Sequence, residues 1–155
     1  MEKGPRFSTY LTKSGCAGPV RVILTSMKER DLQTRFNAWL RNRWQGGSAA
    51  FELKICHEES MPFSEVKEHQ VRNLQIAKHG SLAYKIPDVG MDQKPFDCIF
   101  LDKVPAYVAV MFHKRGEKRV YLIDVDIFAL EAETSARRSL TPLRASQIGQ
   151  VVLVE

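Results

Sequence analysis

Ala49-Ala50-Phe51-Glu52-Leu53-Lys54-Ile55-Cys56 reads as a β-strand with two unlike faces. Side chains alternate along a strand, so Phe51, Leu53 and Ile55 share one face while Glu52 and Lys54 share the other. The first face can pack, and the second presents a carboxylate beside an ammonium. Metal-dependent phosphodiester cleavage uses these residue types: a carboxylate to hold a divalent cation, and a cation to orient water or steady developing charge. A surface strand with a solvated ion pair has the same pattern. The segments on either side therefore decide the reading.

Before this strand, from Glu29, the pattern is helical. Leu32, Phe36, Trp39, Leu40 and Trp44 recur at three- and four-residue steps as one apolar stripe. Both tryptophans belong to that stripe and read as core. Gln45-Gly46-Gly47-Ser48 ends the helix. After the strand, residues 57–62 form a polar connection. Ser64 is the expected N-cap of a second helix, with Val66, Leu74 and Ala77 on its buried side and His79-Gly80 at its close. Gln70 shares the buried side, and His69 lies beside its edge.

The remainder is rich in strands: 82–86, 96–101, 106–112 and 119–125, with a hairpin turn at Gly116. Asp124 and Asp126 read as outward polar positions of the last of these, before a helical turn at 127–131. Thr141-Pro142 starts a short helix that ends near Gly149, and Val151–Val154 forms a final strand. This order predicts an α/β (α+β) fold with a mixed central β-sheet flanked by helices. Residues 1–26 recur in Ser, Thr, Gly and Pro, with one short strand candidate at Val20–Leu24. They read as a flexible N-terminal extension before a domain over 27–155.

A length of 155 residues suits one domain, and the 44% hydrophobic and 26% charged fractions are those of a globular protein. No apolar run approaches bilayer length, so no membrane partner is expected. The first six residues lack the apolar core of a secretory signal, so the expected location is cytoplasmic. Cys16, Cys56 and Cys98 form no C-x-x-C pair, which argues against a structural zinc site or a disulfide framework. Cys56 and Cys98, in strand-like runs, read as small buried hydrophobes. The net charge of +5 is gathered in clusters: Arg30, Arg35, Arg41 and Arg43; His113-Lys114-Arg115 with Lys118-Arg119; Arg137 and Arg138. Such clusters suit a polyanion, and Arg35, Arg41, Arg43, Lys67, Lys114 and Arg115 are the candidate nucleic-acid contacts. His57 and His113 have no evident partners and are assigned no role.

A charged helix, the Phe51-Glu52-Leu53-Lys54 strand, a helix bearing His69-Gln70 and a strand entered through Pro95-Phe96-Asp97 follow in order. Over roughly residues 28 to 130 this resembles the PD-(D/E)xK nuclease superfamily, and within it RecU-type Holliday-junction resolvases and their phage-borne relatives. The resemblance implies a restriction-endonuclease-like core and a Mg2+- or Mn2+-dependent DNA endonuclease of recombination. It implies branched DNA as substrate and a homodimer to make two cuts. Carried over, Glu52 becomes a metal ligand, with the Leu53 carbonyl beside it, and Lys54 the water-orienting or charge-stabilising residue. His69 and Gln70 orient the site or touch the scissile phosphate, and Glu29 (with Asp31 a lesser candidate) is a ligand from the first helix. The sequence departs from the pattern in one place: no Asp or Glu lies between Leu32 and Phe51, where the family has its aspartate. Asp97 is the candidate for a migrated ligand, ahead of Asp88, because a carboxylate in a buried-looking strand needs a partner. Two other readings stand beside it. One is a catalytically inactive nucleic-acid-binding module with the nuclease fold. The other is an interaction domain with no nucleic-acid role.

Overall fold

The computed structural model describes residues 7–10, 20–23, 30–85, 97–114 and 117–154. Two short strands, β1 (Phe7–Tyr10) and β2 (Val20–Ile23), precede helix α1 (Arg30–Arg43) and strand β3 (Ala50–Cys56). A two-residue strand β4 (Met61–Pro62) and a 3-10 turn (Phe63–Glu65) lead into α2 (Glu68–His79). Strands β5 (Ser81–Lys85), β6 (Cys98–Asp102), β7 (Ala106–Phe112) and β8 (Arg119–Asp124) follow. The chain continues through α3 (Val125–Thr134), β9 (Ser139–Leu140), α4 (Pro142–Ile148) and β10 (Gln150–Leu153). The central sheet has the order β1-β2-β3-β7-β8-β10. It is mixed: β3 runs parallel to both β2 and β7, and the other pairs are antiparallel.

Period-two alternation sorts the side chains of this sheet into two cores. Phe51 and Leu53 of β3, Ala109 and Met111 of β7, and Val120 and Leu122 of β8 meet Leu32, Phe36 and Leu40 of α1. Val108, Val110, Phe112, Tyr121 and Ile123 point the other way and meet Leu74 and Ala77 of α2 and Phe128 of α3. The sheet is thus covered by α1 on one face and by α2 and α3 on the other. The expected mixed sheet flanked by helices is what the chain forms.

Local chemistry explains the boundaries. Helix α1 stops at Arg43, and Trp44 turns back to donate its indole N–H to the Gly47 carbonyl at 2.7 Å. Gly47 has φ of +71°, a conformation glycine adopts without steric cost. Thr141 caps α4 as expected, its hydroxyl accepting from the Arg144 N–H with Pro142 in the first turn. Gly149 lets α4 close on β8: a Cβ there would lie 2.8 Å from both the Leu122 carbonyl and the Ile123 side chain.

Four expectations need correction. The N-cap of α2 is Lys67, not Ser64, which lies in the 3-10 turn. Asp124 and Asp126 are not both strand residues: β8 ends at Asp124, which caps α3 by accepting from the Asp126 N–H. Among the described residues, strands β5 and β6 pair only with each other, apart from the central sheet. For that reason Cys98 is exposed and not a core residue, whereas Cys56 in β3 is buried.

Candidate functional site

Glu52 and Lys54 stand on the α2 face of β3, a strand paired along both edges. Both are inside the protein: Glu52 is 0% exposed and Lys54 7%. The Lys54 ammonium lies 3.3 Å from Oε1 of Glu52. The third member comes from the first turn of α2. Gln70 is 4% exposed, and its Nε2 donates to the same Glu52 oxygen at 2.6 Å.

Helix capping fixes Gln70 in place. It occupies the third position of α2, where Glu and Gln reach back to the N-cap backbone. Its Oε1 accepts from the Lys67 N–H at 2.9 Å, while its Nε2 faces Glu52. The two contacts leave one amide orientation that serves both, so the helix cap also aims a donor at the carboxylate. Burying a charge pair costs several kcal/mol per ion before their attraction is counted. A cluster of this kind is expected where polarity serves something besides folding.

The other candidates lie in different places. His69 is exposed beside Gln70, and Lys67 is exposed with its ammonium on the Ser64 carbonyl at 3.1 Å. Arg35, Arg41 and Arg43 are exposed on α1, the layer across the sheet from the Glu52 cluster. Lys114 is exposed just past the end of β7. Asp31 is exposed in the first turn of α1. Asp97 is exposed and directly precedes β6, so it is not the buried strand carboxylate that its apolar neighbours suggested. Glu29, Asp88 and Arg115 fall outside the described residues.

Hard divalent cations take about six oxygen ligands. Among the described residues no group of three or more His, Cys, Asp and Glu side chains could hold a metal ion. Glu52 supplies one buried carboxylate of such a set. The fit to magnesium or manganese is therefore partial, with Asp88 and Glu29 among the residues not described.

A second polar cluster escaped the sequence reading. Lys78, near the end of α2, reaches Asp124 at 2.6 and 2.7 Å and Asp126 at 2.6 Å, and His79 contacts Asp126 at 2.8 Å. Burial pushes the Asp126 carboxyl up, but hydrogen bonds from Lys78 and His79 outweigh it and the net shift is downward. Burial likewise pulls Lys78 down, and its bonds to Asp124 and Asp126 reverse the sign. This cluster ties the end of α2 to the start of α3. Its signal in the sequence was the Asp124-x-Asp126 pair opening an apolar run, which reads equally as a helix cap.

Comparison with protein-family models, with curated proteins and with solved structures found no match.

Proposed function

We propose that this protein is a metal-dependent DNA endonuclease with a restriction-endonuclease-like core, acting on branched DNA such as Holliday junctions. The observation that carries the proposal is the buried triad. A lysine two residues on and a glutamine from the next helix converge on one oxygen of the strand carboxylate. Gln70 holds the Glu52 carboxylate in one rotamer. Lys54 provides a positive charge of low hydration, suited to steadying a phosphate oxyanion as it develops. Magnesium or manganese, when bound, would polarise the phosphodiester and supply an activated water. The exposed basic residues would hold phosphate backbones in a salt-dependent way. Two symmetric cuts need two sites, so a homodimer belongs to this proposal.

The burial of the same triad favours a second reading, a nucleic-acid-binding module that keeps the fold without cleaving. A phosphate must approach Glu52 and Lys54 for chemistry, and both are nearly closed to solvent. One experiment separates the two. The full chain is incubated with a four-way junction and a matched duplex, with magnesium or manganese. The endonuclease reading predicts junction cleavage that vanishes in Glu52→Gln. Salt-sensitive binding with no cleavage under either metal selects the binding module. Cleavage by Glu52→Gln at the wild-type rate would overturn the assignment of the triad.

A further inference from the structure

His57 and His113 each stand one residue past the carboxyl end of a strand, β3 and β7, which are parallel neighbours. The last registered pair of those strands is Cys56 with Phe112. The His113 N–H donates to the Cys56 carbonyl at 2.7 Å, so the pairing continues into the residues that carry the rings. The two imidazole centres are 5.2 Å apart with their planes at 75°, and both residues are exposed.

We propose that this histidine pair binds a borderline divalent transition metal, zinc or nickel, independently of the Glu52 cluster. The spacing carries the argument. Two imidazoles bound to one tetrahedral ion, each through a nitrogen about 2.1 Å away, have ring centres about 5 Å apart. The pair already has that separation. The terminal torsion of histidine is broad, so exposed rings can turn a nitrogen toward a shared ion without repacking. Imidazole nitrogen selects zinc, nickel and copper over magnesium, which prefers oxygen. Among the described residues no third His, Cys, Asp or Glu completes the group. From the described residues the site is a two-ligand surface chelate, with water in the rest of the shell. A bound ion would tie together the ends of β3 and β7, the first of which carries Glu52 and Lys54.

The chain holds four histidines, and the other two serve as controls. His69 is exposed on α2, and His79 is engaged with Asp126. The test uses the untagged, metal-stripped full chain, titrated with zinc by calorimetry. One ion per chain is expected, with binding that excess magnesium does not displace. His57→Ala and His113→Ala should each weaken it about tenfold or more, as loss of one of two ligands requires. His69→Ala and His79→Ala should bind as wild type. Both paired residues are exposed, and His57→Gln provides a second variant should an alanine disturb the strand end. In proton NMR, nickel should broaden the His57 and His113 ring signals together and before the other two. Zinc binding unchanged in both alanine variants, no saturable binding, or broadening centred on His79 would each overturn the proposal.

Discussion

The two faces of β3 are equally buried and chemically opposite. On the α1 side, Phe51 and Leu53 are fully covered, and Phe51 sits among Phe36, Trp44 and Tyr107 with ring centres 5.2 to 5.6 Å away. On the α2 side, at the same depth, stand a carboxylate, an ammonium and an amide. Hydrophobic burial alone selects the first face. It does not select the second, because apolar residues of similar volume often replace a buried ion pair at no loss of stability. The contrast marks the α2 face as the place where function is to be sought.

The largest effects break either face outright. Phe51→Ala should cost about 3–5 kcal/mol in urea-unfolding free energy, through lost burial and the cavity left behind. Lys54→Ala should cost about as much, roughly 3–5 kcal/mol, for another reason: it removes the buried cation that faces the Glu52 carboxylate. The pH dependence separates the two. The deficit in Lys54→Ala should shrink when acid neutralises Glu52, whereas that of Phe51→Ala should not.

A smaller effect sharpens the contrast within the polar face. Gln70→Ala removes both the cap on α2 and the donor to Glu52, and should cost about 1–3 kcal/mol. Gln70→Glu keeps an acceptor for the Lys67 N–H but sets a second carboxylate against Glu52. Its stability should therefore recover in acid, measured as thermal midpoint against pH. A Gln70→Glu variant as stable as wild type at neutral pH would mean that the Gln70–Glu52 contact carries little.

The smallest effect lies on the surface. Glu117 accepts from Arg119 through side chain and backbone, which brings its carboxyl from 4.5 down to about 2 despite partial burial. A carboxyl lowered in the folded state contributes stability above its unfolded value and loses it as pH falls to the folded one. Wild type should thus lose more stability between pH 4.5 and about 2 than Glu117→Gln does. Because Arg119 is 55% exposed and screened by solvent, the difference at neutral pH should be under about 1 kcal/mol.

The legible parts of the fold were those that repeat at short range. Strand β3 showed its two faces through alternation, α1 through its stripe, and α4 through Thr141-Pro142. Gln70 was legible as an inward residue of its helix. Its double bond to Lys67 and Glu52 was not, because the cap depends on where α2 starts, and a serine three residues earlier offered a plausible alternative. Asp124 and Asp126 were misread because alternation and capping put the same letters in the same order. The burial of Glu52 and Lys54 depends on β2 and β7 lying on either side of β3, a pairing between distant segments that local pattern does not encode. The neighbouring rings of His57 and His113 arise from that same parallel pairing.

Under the proposed function, Glu52 and Lys54 are kept inside for activity at no gain in stability. The most direct measurement is the unfolding free energy of the Glu52→Met/Lys54→Met double variant, taken beside its action on a four-way junction. The account predicts stability equal to wild type or higher by about 1–4 kcal/mol, with junction cleavage abolished. A double variant that loses several kcal/mol and still cleaves the junction would contradict it.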